Sequence, residues 1–272
     1  MQIKINKMEK TQISIILPVH ELNDTTKPLF ANAVKSVETQ KVVPDELVIV
    51  VPKDSEVSAY VKAYDFAGIK DIITIVENSG DTDFASQVNL GVSSSKSEWV
   101  SFLEFDDEYA NIWFKNVVEY RNAHTNVDIF MPIVVEVDAN GTFNGFANEP
   151  VWATSFSDEL GILDLNALLA YQNFSIDGIV MRKSIFEDYG GFKSSIKLMF
   201  TYEFLLRMAF KDARIMAIPK FGYKHVNQRP DSLFAVYKET IDPTEARWWL
   251  AQAKKEYYFD KDRKITYATQ LS

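Results

Sequence analysis

Short hydrophobic runs alternate with amphipathic stretches along the first 130 residues of the chain. The runs at 13–18 and 46–51 are rich in β-branched residues and stop at a proline, which is typical of buried strands. The segment 28–40 places apolar residues three and four positions apart, as an amphipathic helix does. The same patterns predict helices at 55–67 and 84–94 and strands at 71–76 and 98–104. Strands and helices in alternation indicate βαβ units and a mainly parallel sheet with helices on both faces.

The second half of the chain departs from this regular alternation. A helix at 111–124 precedes a strand at 127–137, and Asn140-Gly141 is a strong hairpin signal before a return strand at 142–146. Beyond an irregular stretch at 148–163, the pattern predicts a strand at 176–181, a helix at 195–211 and a last core strand at 214–218. We therefore expect an α/β fold with a mixed sheet, forming one domain over 11–225. A short helical extension over 226–272 would pack on the same domain.

Composition and charge narrow the chemistry. The chain has no cysteine, which excludes disulfides, thiolate zinc sites and a cysteine nucleophile, and favours a reducing compartment. The net charge of −9 argues against tight binding to a nucleic-acid backbone, but it is compatible with metal-assisted binding of an anionic ligand. The amino-terminal residues lack the apolar stretch of a signal peptide, and no run is long enough to span a membrane. These features predict a cytoplasmic protein.

Polar residues follow several predicted strands at their carboxyl ends, where ligands of such sheets bind. The acidic run is the most distinctive, because three carboxylates follow directly after the apolar residues Phe102 and Leu103. Side chains alternate along a strand, so Glu104 and Asp106 are expected on one side and Phe105 in the core. Such a pair suits Mg²⁺ or Mn²⁺, which prefer oxygen ligands and can then hold a diphosphate. The alternative is a solvated acidic turn that caps the next helix.

The order of these motifs resembles that of the family 2 glycosyltransferases. The match is clearest from Phe84 to Asp107, where Asn89-x-Gly91, Glu98-Trp99-Val100 and the acidic strand end succeed one another. It continues through Tyr189-Gly190-Gly191-Phe192 and Leu205-Leu206-Arg207, and covers about residues 12 to 220. The resemblance implies a GT-A fold (the nucleotide-diphospho-sugar transferase fold), a divalent metal and a nucleotide-sugar donor, with a uridine nucleotide as the default. It also implies transfer to a hydroxyl with inversion.

The resemblance also assigns expected roles to individual residues. His20 stands where the family has a tyrosine that stacks on the nucleobase, and Asp54 stands near the base-contacting acid of strand two or caps the following helix. His225 would join Asp106 as a metal ligand, and Arg229 would hold the diphosphate. The full set expected around the donor is Pro18, His20, Glu21, Asp54, Asn89, Glu104 and Arg229.

The chain departs from the family pattern at two acids. Glu104 replaces the first aspartate of the acidic motif, and Thr201 occupies the position of the general base, which must deprotonate the acceptor hydroxyl. The nearest carboxylate on the same predicted helix is Glu203, although two residues correspond to about 200° around the axis. We therefore predict Glu203 and Asp107 as the catalytic residues, with Asp177 and Asp158 as further candidates for the base.

Three functions remain open on the sequence alone. The first is metal-dependent transfer from a nucleotide sugar to a glycan, a lipid-linked acceptor, a protein or a nucleobase. The second is a binding module on the same fold without catalysis, which Thr201 favours. The third is a nucleotidyltransferase, whose usual Gly-rich basic loop after strand one is missing between His20 and Pro28.

Overall fold

The structure, a computed structural model, describes residues 11–149, 161–227, 229 and 232–267. One mixed sheet of ten strands organises this part of the chain. The strands are β1 (Ile13–Pro18), β2 (Glu46–Pro52), β3 (Ile73–Asn78), β4 (Trp99–Phe102), β5 (Glu108–Tyr109), β6 (Ile129–Val137), β7 (Phe143–Ala147), β8 (Ile162–Leu163), β9 (Val180–Arg182) and β10 (Ile215–Val226). Their order is β3-β2-β1-β4-β9-β6-β10-β5, with β7 beside β6 and β8 beside β10.

Helices cover the sheet and connect its strands. They are α1 (Lys27–Glu38), α2 (Glu56–Ala63), α3 (Phe84–Ser94), α4 (Trp113–Ala123), α5 (Leu165–Ala170), α6 (Lys183–Asp188), α7 (Phe200–Phe210), α8 (Leu233–Thr240) and α9 (Pro243–Glu256). Strands β1 to β4 run parallel to one another, whereas β9 pairs antiparallel with both β4 and β6. The predicted mixed, mainly parallel sheet flanked by helices is confirmed.

Each face of the sheet carries its own hydrophobic core. Ile15 and Leu17 of β1 pack into one cluster, with α1 and α4, while Ile16 packs into the other, with α3 and α7. This division follows from the alternation of side chains along a strand, and it explains why β1 and β2 are hydrophobic at most of their positions. The central strands are therefore fixed from both sides, and their carboxyl ends hold the polar residues in place.

The differences from the predicted elements concentrate near the acidic run. Strand β4 ends at Phe102 instead of 104, and the short strand β5 follows the acids directly. Strand β10 has twelve residues, because it continues through register shifts between Ala217 and Tyr223. Helices α5 and α6, six residues each, lie in stretches where no helix was predicted.

The carboxyl-terminal helices lie where the extension was predicted. Helix α9 contacts α7, and its Trp249 and Ala253 are buried, as is Tyr257 after it. A domain limit at residue 225 remains a prediction. Among the described residues, no helix has both the length and the apolar character needed to cross a membrane.

Candidate active site

A turn, rather than a strand, presents the acidic residues. The Leu103 amide still donates to the Ile16 carbonyl at 3.0 Å, but the Asp107 amide donates back to the Glu104 carbonyl at 3.2 Å. This turn brings Glu104 and Asp107 together instead of Glu104 and Asp106. The strand alternation used in the sequence prediction fails here because the strand has already ended. The predicted burial of Phe105 is observed.

Four side chains form a compact cluster at the end of β4. Glu104, Asp107, Asp177 and His225 each bring one ligand atom within 4.8 Å of the others. Asp107 is fully buried, and its Oδ2 lies 2.9 Å from Nδ1 of His225. Its Oδ1 accepts from the Val226 amide at 2.8 Å. The acidic turn is thus tied to the end of β10, the strand that pairs with β5 directly after the turn.

Asp177 reaches the cluster because the next residue is a glycine. Gly178 has φ +66°, and a Cβ at this position would lie 2.6 Å from the ring of Tyr223. The Trp113 indole Nε1 donates to the Gly178 carbonyl at 2.9 Å. The hydroxyl of Tyr223 accepts from the Glu104 amide at 3.0 Å. Tyr223 therefore positions both Glu104, through the hydrogen bond, and Asp177, through the packing of Gly178 against its ring.

Burial and crowding of negative charge perturb the protonation of the cluster. Burial, reinforced by the Asp107 charge, raises the pKa of Glu104 well above its ordinary range. Burial also raises the pKa of Asp107 to about 6, although His225 opposes the shift. Burial lowers the pKa of His225, but Asp107 and Asp177 outweigh it and raise that pKa well above 6.5. Burial and mutual repulsion therefore disfavour the ionisation of Glu104 and Asp107 together, and a bound cation would offset both effects.

The donor set fits a divalent metal ion. Three carboxylates and one imidazole offer the oxygen-rich, partly nitrogen coordination that Mn²⁺ and Mg²⁺ accept. The residues come from the acidic turn, from the segment before β9 and from β10, so the folded chain sets their spacing. Glu104, Asp107, Asp177 and His225 could hold such an ion.

Asp106 belongs to a neighbouring arrangement. Its Oδ2 accepts from Nε of Arg229 at 2.9 Å, and another Arg229 nitrogen lies 3.6 Å from Glu21. The guanidinium stands over the ring of Phe105 at 5.3 Å. His20 contacts the same ring edge to face at 5.3 Å. The predicted metal pair of Asp106 with His225 is replaced by a pairing of Asp107 with His225.

His20, which follows β1, places an imidazole ring beside Asp106 and Arg229. Burial lowers the pKa of His20, against the opposing charges of Glu21 and Asp106. Its imidazole is therefore uncharged at neutral pH, which suits stacking or hydrogen bonding to a nucleobase. His20, Glu21, Asp106 and Arg229 form one polar wall beside the acid cluster, and Pro18 ends the strand that carries it.

The candidate base Glu203 lies in different surroundings. Its side chain has no exposed surface, and its oxygens accept from Nζ of Lys193 at 2.9 Å and from Arg207 at 2.9 and 3.1 Å. A general base must reach the acceptor hydroxyl, and this carboxylate is enclosed and already paired. Its geometry favours a structural role. Of the two further candidates, Asp177 lies in the acid cluster, and Asp158 lies outside the described residues.

Two residues that were predicted to bind the donor, Asn89 and Asp54, have other surroundings in the structure. The side chain of Asn89 exchanges two hydrogen bonds with the backbone of Phe192, at 2.8 and 2.9 Å, and so joins α3 to the loop before α7. Asp54 is exposed in a turn with φ +52°. Ser55 caps α2, because its hydroxyl accepts from the Ser58 amide at 3.0 Å. The capping role considered for Asp54 therefore belongs to its neighbour.

The sequence ranks Asp177 below Glu203 as a candidate base and does not single out Tyr223. An acid followed by glycine at the start of a hydrophobic run was the available signal for Asp177. Tyr223 gave no such signal, since an aromatic residue in a strand is ordinary core material. Only the pairing of β10 with β5 and β6 brings its hydroxyl under the acidic turn.

Fold and site together define a nucleotide-sugar transferase domain of the GT-A type. The model of the glycosyl transferase family 2 matches residues 14–190, and the chain belongs to that family. An uncharacterized glycosyltransferase of Haemophilus influenzae is 25% identical over 137 residues. That match covers 50% of this chain and 44% of the relative, so the chain spans less than half of that protein.

Solved structures of TarS from S. aureus share the fold. TarS 1–349 superposes with a TM-score of 0.59 at 15% identity, covering 90% of this chain and 71% of that one. The same fragment in complex with UDP-GlcNAc gives a TM-score of 0.63 at 15% identity, covering 90% of this chain and 66% of that one. The fragment has also been solved in complex with UDP.

Proposed function

We propose that this chain is a metal-dependent glycosyltransferase that moves a sugar from a uridine diphosphate donor to a hydroxyl acceptor with inversion. The observation that carries the proposal is the cluster of Glu104, Asp107, Asp177 and His225 beside the carboxyl ends of parallel strands. Structural neighbours that bind UDP and UDP-GlcNAc support the choice of donor. Membership of family 2 favours glycosyl over nucleotidyl transfer.

The cluster would hold Mn²⁺ or Mg²⁺ and so neutralise the diphosphate that leaves. Side chains of the protein would bind the rest of the donor. Arg229 is nearly buried and held by Asp106 and Glu21, which fixes a guanidinium next to the acid cluster, where it can bind phosphate oxygens. His20 lies on the same wall and offers its uncharged ring to the base.

A donor-binding protein without transfer is the second candidate. Thr201 has no carboxylate, and Glu203 is enclosed by Lys193 and Arg207. The family position of the base and its nearest substitute therefore both lack an acid that can reach an acceptor. The two candidates share the metal and donor site and differ only in whether turnover follows.

The first experiment measures metal and donor binding by calorimetry and nucleoside diphosphate release with a panel of nucleotide sugars and Mn²⁺. We expect Asp107→Asn to weaken Mn²⁺ binding by at least about 100-fold, because it removes a ligand on which His225 also depends. Glu108→Gln is the matched control: Glu108 is the next residue but pairs with Lys224 instead of the cluster. Asp106→Asn should leave Mn²⁺ binding intact and weaken donor binding through Arg229.

The outcomes separate the candidates. Slow Mn²⁺-dependent release of nucleoside diphosphate from the wild type, lost in Asp107→Asn, supports the transferase. Mn²⁺-dependent donor binding without any release supports the binding protein. Metal-independent donor binding, or equal losses in Asp107→Asn and Glu108→Gln, would overturn the assignment of the cluster.

A further inference from the structure

Three exposed aromatic residues form a surface at the end of α9, away from the residues assigned above. Phe210 is 41% exposed, Tyr258 52% and Phe259 43%, and the guanidinium of Arg263 lies over the Phe259 ring at 3.8 Å. The ring centroids of Phe210 and Tyr258 are 5.0 Å apart, and Tyr258 stacks on Tyr257 at 4.1 Å. Apolar area is therefore collected in one place on the surface instead of being scattered.

Basic residues lie close to these rings along the chain. Lys254 and Lys255 are in the last turn of α9, shortly before Tyr258 and Phe259. Lys261 and Lys264 follow in the exposed segment after α9. None of these four lysines forms an ion pair with another residue in the part of the chain that the structure describes. We call these four lysines together with Phe210, Tyr258 and Phe259 the aromatic–basic surface.

The acids of the same segment are turned to other partners. Asp260 pairs with Lys211 at 2.6 Å, and Glu256 is buried and pairs with Arg263 at 2.6 Å. Asp262 accepts from the Ser195 amide at 3.1 Å. Asp262 is exposed and keeps its charge, since its hydrogen bonds come from neutral groups of Ser194 and Ser195. The four lysines without an ion pair still outnumber it, in a chain whose net charge is −9. A local excess of positive charge in an acidic chain favours the binding of an anionic partner.

The surface is held rigidly on the domain. Nζ of Lys193 donates to the carbonyl of Glu256 at 2.7 Å, and Nε of Arg263 donates to the Glu256 carboxylate at 3.0 Å. Together with the bonds of Asp260 and Asp262, these contacts fix the segment after α9 against α7 and the loop before it. A partner would consequently meet a preformed surface and lose little entropy in ordering it.

We propose that the aromatic–basic surface binds an anionic lipid membrane. Aromatic rings with free lysines around them match the interface of a bilayer, where rings enter the headgroup region and ammonium groups meet lipid phosphates. Salt screens the repulsion from acidic residues that lie farther than about 10 Å from the surface. Such binding is separate from the proposed transfer reaction and would place the domain on a membrane surface.

The experiment is sedimentation of the full chain with vesicles in which half of the lipid is phosphatidylglycerol, compared with pure phosphatidylcholine vesicles. We expect binding to the anionic vesicles only, weakened by added salt. Replacing Lys254, Lys255, Lys261 and Lys264 by glutamine should weaken it by about fivefold per lysine. The matched control replaces Lys41, Lys70, Lys115 and Lys220, which lie on other elements, and produces the same net charge. Tyr258→Ser with Phe259→Ser tests the contribution of the rings.

Absence of binding to anionic vesicles, equal binding to both kinds of vesicle, or equal losses in the two lysine variants would overturn the proposal. So would self-association through this surface, seen as a lysine-dependent dimer in analytical ultracentrifugation without vesicle binding. Lys255, Lys261 and Lys264 are exposed and Lys254 is half-buried, and none of the four has an ion pair in the described part of the chain, so we expect the quadruple lysine variant to fold like the wild type. Asp107→Asn should bind vesicles like the wild type, which separates this result from that of the transfer assay.

Discussion

Tyr223 connects the chemistry of the site to the packing beneath it. It is almost completely buried, its hydroxyl accepts from the Glu104 amide, and its ring leaves room only for the glycine that follows Asp177. Burial, followed by the charges of Asp107 and Asp177, raises the pKa of this phenol well above 10. The hydroxyl therefore remains protonated beside the carboxylates, and it acts by positioning them.

We predict that Tyr223→Phe weakens Mn²⁺ binding by about tenfold and lowers the free energy of unfolding by about 1–2 kcal/mol. The backbone amide of Glu104 would lose its partner, and a ligand that is no longer fixed binds less tightly. Calorimetric titration with Mn²⁺ and urea denaturation measure the two effects.

Tyr109→Phe is the control for that experiment. Tyr109 is a buried neighbour of Tyr223, and its hydroxyl donates to the Phe102 carbonyl at 2.8 Å without touching the cluster. We expect it to lower stability and leave Mn²⁺ affinity unchanged. If both variants lose metal affinity equally, Tyr223 has no special role in positioning.

At the scale of elements, one carboxylate connects the amino-terminal ends of the parallel strands by hydrogen bonds. Glu46, at the start of β2, is 5% exposed and accepts from Ser14 of β1 at 2.8 Å and Thr74 of β3 at 2.9 Å. It also accepts from the Lys96 amide before β4 at 2.9 Å. Burial alone would raise the pKa of Glu46, but these hydrogen bonds outweigh it and hold the pKa below 4.5.

We predict that Glu46→Gln lowers the free energy of unfolding by about 1–3 kcal/mol at neutral pH. Because the pKa is lower in the folded state, the ionised carboxylate stabilises the fold above pH 4.5, and this contribution is lost as the pH falls through the folded-state value. The difference between wild type and variant should therefore shrink in urea titrations at low pH. Glu98→Gln, which removes a half-exposed partner of Arg182, should change stability by less than about 1 kcal/mol. A difference that stays constant with pH would contradict the prediction.

The elements also show how far local patterns extend. Strands β1 and β2 and helix α3 closely match their predicted limits, because hydrophobic periodicity and the prolines act locally. The acidic turn does not, because the pairing of β4 with β1 ends at Phe102 and Ile16, before β1 itself ends at Pro18. That early stop decides which two acids share the cluster with His225.

For the whole molecule, a buried ion network joins the helical extension to the sheet-covering helices. Glu203 of α7 pairs with Lys193 and Arg207, and all three side chains have no exposed surface. Arg207 also donates to the carbonyl of Gly191 at 2.6 Å, and Lys193 donates to the carbonyl of Glu256. The network holds the loop before α7, helix α7 and the end of α9 in one arrangement.

We predict that Glu203→Gln lowers the free energy of unfolding by about 3–5 kcal/mol, because it leaves two buried cations without a counter-charge. The same substitution at Glu119, in an exposed pair with Lys115, should cost less than about 1 kcal/mol. Thermal and urea denaturation measure both. Loss of turnover in Glu203→Gln with unchanged stability would instead restore the role of general base.

The sequence by itself determined the α/β architecture, the edge of the sheet where the site lies and the family, because strand periodicity, turn residues and motif order are local properties. Only the tertiary structure decided that Asp107 pairs with His225, that Asp106 pairs with Arg229 and that Glu203 is enclosed. Those partners lie 118, 123 and, for Lys193, 10 residues apart in the chain. Their pairing depends on where strands end and which helices pack together, and these are set by long-range contacts instead of by local pattern.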